Sequence, residues 1–310
     1  MKPFRALAVS LGVVVALGAT SAFAQTRVSV GYTATIDVAP LFVAADKGFF
    51  QKRGLEVTPQ LLAVNSLIPP ALMSDSIQIG MPTSTTFLQA VDGGIDMTVV
   101  TGLNFTRQND KNFGIIARTG ANITNAKDLI GKKMGVPGFN AMLHVLGREW
   151  LRSNGVDPKQ VTYVETPFPQ MNEIMKSGNV DAVIGAEPFK SRIINAGTGS
   201  ILAHLTSVLP ENLPIVVFAA TRKWADANPQ ATKAFKDGLA EGMAFTLTNL
   251  DESRVITAKY LKLPLEIVAS VEMPPFNVNV TADSLATWVK IMKTQDMLTR
   301  DLGVEKLILR

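Results

Sequence analysis

The run from Gly31 to Val57 limits most what this chain can fold into, because it holds a loop, a helix and the start of a β-type segment in close order. Pro40 suits the first turn of that helix, and Gly48 is placed to end it. β-type segments that alternate with helices predict an α/β protein with mostly parallel sheets. The loop that follows the first strand then lies at the carboxyl edge of the sheet, where open α/β sheets bind ligands.

The same alternation occurs in two series, one before residue 104 and one from about residue 124 onwards. We therefore predict two lobes, each a mostly parallel sheet flanked by helices. Lobe 1 comprises residues 25–108 and 216–310, and lobe 2 comprises residues 109–215. The chain crosses between them twice in this arrangement, so the lobes are expected to hinge and to close on a ligand.

Residues 1–24 have the pattern of a cleavable signal peptide. Lys2 and Arg5 precede an apolar stretch, and residues 22–24, Ala-Phe-Ala, form the small-residue pattern that signal peptidase cleaves. An uncleaved membrane anchor is the alternative, but the apolar stretch of about 14 residues is shorter than the roughly 20 that span a bilayer. The chain has no cysteine, which excludes a lipid-anchored amino terminus and disulfides. We expect a free periplasmic protein.

Composition and charge argue against several classes of function. The formal net charge of +4 falls to +2 when Lys2 and Arg5 leave with the signal peptide, and no basic block marks a nucleic-acid surface. His144 and His204 are the only histidines, and neither lies in a catalytic or metal-binding motif. We therefore expect no enzyme, no cofactor, no metal site and no nucleic-acid partner. The mature chain is expected to be a monomer.

Three blocks of residues, in order and at matching spacing, resemble the solute-binding proteins of ABC importers for nitrate, sulfonates, taurine and the thiamine pyrimidine. The blocks are Gly31, Pro40, Ala44, Lys47, Gly48, Phe49, Gly54, Leu55 and Val57; Asp128, Leu129, Gly131, Lys132, Lys133, Gly135 and Val136, followed by Gly155, Val156, Asp157 and Pro158; and Ser177, Gly178, Val180, Asp181, Ala182, Glu187, Pro188 and Phe189. Together they extend from residue 31 to residue 189.

This resemblance implies a two-lobed periplasmic binding protein fold of type II. Such a protein captures a small solute between its lobes and delivers it to an ABC permease in the inner membrane. A ligand-binding partner of a membrane sensor is the alternative role, since the same closure would serve it. Eukaryotic relatives that make the thiamine pyrimidine have a Cys-rich segment, which this chain lacks.

Loops at helix amino termini supply the candidate binding residues, because their free N–H groups and positive dipole ends favour an anionic head. The candidates are Thr35, Ile36, Asp37, Asn65, Ser66, Ser84, Thr85, Phe139, Asn140, Glu187 and Phe189. Other roles stay open for four of them. Asp37, Asn65 and Ser66 also suit helix caps, and Glu187 also suits the first turn of a helix.

The stretch 137–141, Pro-Gly-Phe-Asn-Ala, departs from the Gly/Ser/Thr-rich oxyanion loop that many relatives have here. Phe139, Met142, Phe168 and Phe189 would give the lobe 2 side of the cleft an apolar surface, although Met142 and Phe168 also suit the core. We predict a small organic anion, a carboxylate or sulfonate with an aromatic or alkyl body. A pyrimidine or thiamine precursor is the alternative, and nitrate is disfavoured.

Overall fold

The computed structural model describes residues 25–205 and 209–309 as two lobes, each built around a five-stranded sheet. The predicted signal peptide, residues 1–24, lies outside these residues. The predicted α/β class, with two helix-flanked sheets and two crossings between them, is confirmed. None of the helices in the described part of the chain combines the length and the apolar character that a membrane span needs.

The elements follow one another in three stretches. The first lobe begins with β1 (Thr26–Tyr32), α1 (Ala39–Asp46), β2 (Leu55–Leu61), α2 (Ile68–Met73), β3 (Ile79–Gly80), α3 (Ser84–Asp92) and β4 (Met97–Phe105). The second lobe contains β5 (Phe113–Arg118), β6 (Lys133–Val136), α4 (Met142–Ser153), β7 (Thr162–Glu165), α5 (Met171–Lys176), β8 (Ala182–Ala186), α6 (Phe189–Asn195) and β9 (Gly199–His204). The first lobe is completed by β10 (Pro214–Thr221), α7 (Arg222–Ala227), α8 (Pro229–Thr248), α9 (Leu250–Leu261), α10 (Leu265–Ala269) and α11 (Ala282–Lys293).

Both sheets have the same arrangement, with strand orders β2-β1-β3-β10-β4 and β7-β6-β8-β5-β9. The fourth strand in each order, β10 or β5, is antiparallel to both of its neighbours. These are the strands that directly follow the two crossings. The carboxyl ends of β1, β3, β6 and β8 therefore face the interlobe cleft, and the loops that follow these strands form its walls.

The two crossing segments are hydrogen-bonded to each other at Thr106. Its hydroxyl donates to Pro210 O at 2.6 Å and accepts from Leu213 N at 2.9 Å. Its backbone N–H donates to Leu213 O at 2.9 Å, and its carbonyl accepts from Asn212 N at 3.0 Å. Because these bonds tie the crossings together, they form one hinge rather than two independent linkers.

Candidate functional site

The lobes close over a small cavity of about 30 Å³ with one polar and one apolar side. The first-lobe side is formed by Thr33, Thr35, Asp37, Asn65, Thr83, Ile215 and Val216. The second-lobe side is formed by Phe113, Pro137, Ala141, Met142, Leu143, Phe168 and Ala186. No Lys, Arg or His is among the described residues that line the cavity. The site therefore suits a solute that is polar at one end and apolar at the other.

Asp37 is the only ionisable side chain in that described lining, and just 3% of its surface is exposed. Its carboxylate accepts hydrogen bonds from the Thr35 hydroxyl and, at 3.3 Å, from Asn104 Nδ2. Burial raises the pKa of Asp37; these two hydrogen bonds lower it, and the negative charge of Asp110 raises it further. No side chain caps α1 or the 3-10 turn before it. The helix-cap alternative for Asp37 is therefore wrong.

Asn65 holds the loop between β3 and α3 in place. Its Nδ2 donates to Met81 O at 3.2 Å, and its Oδ1 accepts from Thr83 N at 3.0 Å. The turn that Asn65 begins, Asn65–Leu67, has no side-chain cap, so the cap alternative for Asn65 and Ser66 is also wrong. The amide instead ties the start of the hydroxyl run, residues 83–86, to the loop that follows β2.

Thr83 caps α3 and also contacts the second lobe. Its Oγ1 accepts from Thr86 N at 3.3 Å and from Met142 N, across the cleft, at 3.2 Å. Ser84 and Thr85, the two members of the run that the sequence singled out, do not line the cavity. Ser84 Oγ donates to Pro214 O at 2.6 Å, and Thr85 Oγ1 lies 3.1 Å from Thr83 Oγ1. Ligand contact by Ser84 or Thr85 stays a prediction.

The second-lobe side owes its apolar character largely to Met142, at the start of α4, and Phe168, in the turn before α5. Met142 and Phe168 are 1% and 6% exposed, so they belong to the core and line the cavity at the same time. The Phe168 ring stacks on Phe189, with centroids 6.4 Å apart. Phe189 is fully buried behind that ring and supports the wall from the rear.

Several hydrogen bonds join the lobes among the described residues, and four of them involve the loops that form the cavity. Backbone groups form two of them, from Asn65 N to Pro137 O at 3.1 Å and from Ile36 N to Glu187 O at 3.0 Å. The third is the Thr83–Met142 bond, and the fourth runs from Ser66 Oγ to Glu165 Oε1 at 2.7 Å. Glu165 Oε1 also accepts from Phe139 N at 2.6 Å. The described structure is therefore a closed form of the lobe pair.

Gly138 allows the backbones of the two lobes to approach closely. A Cβ atom added to this residue would lie 3.2 Å from Ser66 N and 3.3 Å from Asn65 N, both in the first lobe. Such contacts are tighter than nearly all those that real Cβ atoms make. A larger residue here would press on the opposite lobe in the closed form.

Phe139 and Asn140 lie at the rim of the closed cleft and outside the cavity lining. The Phe139 side chain is 44% exposed, and its ring meets His144 edge-on at 5.9 Å. Asn140 has a left-handed backbone, φ 62°, which asparagine tolerates, and its N–H donates to His144 Nδ1 at 2.9 Å. A stacking role for Phe139 and ligand contact by Asn140 stay predictions.

His144 is neutral in this environment. Burial, with a smaller contribution from the positive charge of Arg148, lowers the pKa of His144 to about 4. Its Nδ1 accepts the Asn140 bond, so the proton of the neutral ring is on Nε2, which is buried without a partner among the described residues. The neighbouring Tyr163 ring is 4.5 Å away, and burial raises the pKa of Tyr163 to about 12. The pair supports the loop that carries Phe139.

Glu187 acts at the closing contact through its backbone and not through its side chain. The carboxylate accepts from Ser191 N at 3.1 Å and Ser191 Oγ at 3.0 Å, and it forms a buried ion pair with Lys190. These bonds lie in the first turn of α6, which fits the first-turn alternative. The carbonyl faces the first lobe and accepts from Ile36 N. The Ile36 side chain packs away from the cavity, against Val268 and Met273.

Several residues of the site carry no signal in the sequence alone. Asn104 donates a hydrogen bond to Asp37, which is 67 residues away in the sequence. Glu165 accepts one from Ser66, which is 99 residues away. Val216 and Ile215 reach the cavity because β10 returns between two strands of the first lobe. Thr83 is different, because it begins the hydroxyl run of residues 83–86 and that run is visible in the sequence.

A wider depression of about 590 Å³ lies elsewhere on the first lobe, along α7 and α8 and the carboxyl-terminal segment. Its lining includes Asp226, Lys233, Lys236 and Leu309 but none of the candidate residues. Within residues 25–205 and 209–309, no group of His, Cys, Asp and Glu side chains has the geometry of a metal site. The interlobe cavity therefore stays the candidate site.

Comparisons with known proteins agree with this architecture. Residues 21–261 match the NMT1-like family. The chain is 27% identical over 275 residues to the nitrate/nitrite binding protein NrtA of Synechococcus elongatus, and this match covers 77% of the chain and 60% of the relative. It is 25% identical over 281 residues to the nitrate import ATP-binding protein NrtC of Synechocystis sp., with 83% of the chain and 41% of the relative covered. The chain thus spans about half the length of these relatives.

Among solved structures, the alkanesulfonate-binding protein SsuA from Xanthomonas axonopodis pv. citri, bound to MOPS, superposes with a TM-score of 0.79. The superposition covers 93% of this chain and 98% of that one, at 19% sequence identity. At this identity the match establishes the fold alone.

Proposed function

We propose that this chain, which belongs to the NMT1-like family, is the periplasmic solute-binding component of an ABC importer. The observation that carries the proposal is the closed lobe pair, in which hydrogen bonds between the lobes surround a cavity with one polar and one apolar side. Two-lobed proteins of this kind bind a small molecule by closing around it at the hinge. The names of the relatives, which concern nitrate import and nitrate/nitrite binding, support transport as the role.

The partners in this proposal are a small-molecule solute and an ABC permease in the inner membrane. The closed lobes would present the solute to that permease as a monomer after the signal peptide, residues 1–24, has been removed. The permease would recognise the closed form, because the surfaces on the two sides of the cleft come together only when the lobes are closed. No catalytic step is needed in this role.

The second-lobe side of the cavity supports a solute with an apolar body, since Met142 and Phe168 offer it an apolar surface. The organic-anion head that the sequence favoured stays a prediction, as does the pyrimidine alternative. The buried acid Asp37, and the lack of a cationic side chain among the described lining residues, favour a different head group.

A thermal-shift screen of the mature chain tests the proposed function. The compounds are small carboxylates, sulfonates, pyrimidines, amines and amidines, and a ligand that binds only the folded state raises the melting temperature by mass action. A hit is then examined by small-angle scattering for the compaction that lobe closure produces. If no compound stabilises the protein, or a stabilising compound leaves the lobes equally far apart with and without it, the solute-binding proposal is refuted.

A further inference from the structure

The carboxylate of Asp37 is buried in the cleft without a positive partner. Both of its hydrogen-bond donors, Thr35 Oγ1 and Asn104 Nδ2, are neutral groups. Within residues 25–205 and 209–309, the groups that act on this carboxylate are hydrogen-bond donors and the negative charge of Asp110, with no cation among them. A buried carboxylate with only neutral partners is costly, and removing it from water is compensated well only by a cation.

Asn104 offers a second acceptor beside this carboxylate. The residue is 1% exposed, and its Oδ1 has no hydrogen-bond partner among the described residues. Its orientation is set, because Nδ2 is the atom that donates to Asp37. An amide oxygen that is buried without a donor is unfavourable, so the Asn104 oxygen and the Asp37 carboxylate both favour the arrival of an N–H group.

The charged side chains near Asp37 and Asn104 do not supply this N–H donor. Asp110 adds negative charge near Asp37, and the ammonium of Lys190, which acts on Asp110, already forms the buried ion pair with Glu187. Arg107, also near Asp110, pairs with Glu272 at 2.8 Å. The first-lobe side of the cavity is thus a site for a donor and not for an anion.

We infer that the solute binds through a cationic nitrogen head, an amidinium, guanidinium or ammonium group, whose N–H donors reach Asp37 with Asn104 Oδ1 beside it. This inference rests on the proposed function, since it names the class of solute that the interlobe cavity takes. The head lies against the first lobe, and an apolar remainder lies against Met142 and Phe168. The cavity of about 30 Å³ favours a small planar head over a bulky one.

Three probes of the same shape test this inference: acetamidinium, acetamide and acetate, which differ in charge and in their hydrogen-bond donors and acceptors. Each is planar with four non-hydrogen atoms, and each places a methyl group toward the apolar side. We expect calorimetry on the mature chain to rank acetamidinium above acetamide by about tenfold to a hundredfold, as hydrogen bonds to charged groups allow, with acetate weakest. Benzamidinium, benzamide and benzoate repeat the comparison with a larger apolar body.

The variant Asp37→Asn keeps the shape of the site and removes its charge. We expect it to lose about tenfold or more of its affinity for the amidinium probe while acetamide changes by about threefold or less. Asp92→Asn is the matched control, because Asp92 is a buried acid bound to Thr299 and Arg300 of the first lobe and not part of the cavity lining. The control should keep the wild-type ranking even if its melting temperature falls.

Two results would overturn the inference. One is tighter binding of acetate or benzoate than of the matching amidinium, which would leave the solute-binding function intact with an anionic solute. The other is that neither acetamidinium nor benzamidinium binds the wild-type protein detectably, and this result does not depend on whether Asp37→Asn folds. In that case the wider screen and its scattering measurement decide separately whether the solute-binding function survives.

Discussion

Gly138→Ala should weaken solute binding without weakening the fold, because the added methyl group meets only the opposite lobe at short range. The new Cβ would lie 3.2 Å from Ser66 N and 3.3 Å from Asn65 N, so the backbones must separate by a few tenths of an ångström. This separation stretches the 3.1 Å bond from Asn65 N to Pro137 O. Gly138 is not in the left-handed region, so alanine fits its backbone in the open form.

The size of the effect follows from those contacts. Losing one hydrogen bond costs about 0.5–1.5 kcal/mol, and crowding a methyl group costs about 1–3 kcal/mol when the surroundings cannot yield. Because the overlap is only a few tenths of an ångström, we expect about 1–3 kcal/mol against the closed form. Affinity then falls by about 5- to 150-fold. Stability should stay within about 1 kcal/mol of the wild type, since alanine also restricts the unfolded chain.

Closure can be measured directly because the chain has no native cysteine. Cysteines introduced at the exposed residues Met73 and Lys159, one in each lobe, carry spin labels whose distance distribution reports the open and closed populations. Gly303→Ala is the control, since its nearest neighbour, Lys306, is at an ordinary 3.9 Å. Unchanged closure and affinity in Gly138→Ala, or an equal loss of stability and affinity, would refute the steric argument.

Three further predictions concern side chains around the cleft. Since the pKa of His144 is about 4 in the folded protein, the free energy of unfolding should fall by about 3 kcal/mol as pH drops from 6.5 to 4. Urea titrations of His144→Leu should lack this contribution. The same pH profile in the variant and the wild type would contradict the prediction. Ser66→Ala and Glu165→Gln should show a coupling of about 0.5–1.5 kcal/mol in a double-mutant cycle on affinity, and additive effects would show that their 2.7 Å bond does not hold the closed form. Because burial raises the pKa of Asp37, the wild type should lose stability as pH rises above 3.8, the ordinary pKa of an aspartate side chain. Asp37→Asn should therefore have a higher melting temperature than the wild type at neutral pH. A lower melting temperature would mean that the carboxylate stabilises the fold.

Much of the fold follows from local signals in the sequence. The strands Leu55–Leu61, Phe113–Arg118 and Lys133–Val136 have a clear local signal, because β-type runs between glycine, proline or polar turns define them. The strand Gly199–His204 has no such signal, since it lies at a sheet edge, is largely half-exposed and has no clear alternation. For its helical neighbour, Phe189–Asn195, the sequence indicates only the start, through the acid Glu187.

The site was predictable only in part, because loops can be located from sequence but their pairing across the cleft cannot. Thr35, Asp37 and Asn65 do line the cavity, since loops at the carboxyl ends of strands must face it. The Thr83–Met142 bond and the approach of Gly138 to Asn65 depend on how two rigid lobes meet. The position of one lobe relative to the other depends on the whole hinge, and no local sequence pattern predicts it.

The position of β10 has a consequence for how the protein is made. This strand lies between β3 and β4, so those two strands have no common partner until residues 214–221 have been synthesised. The second lobe, whose strands all lie between residues 113 and 204, is complete earlier. The lobes can therefore be completed only in the reverse of the usual order, in which folding proceeds from the amino terminus. The first lobe, although it begins the chain, must wait with open strand edges until the second has been produced.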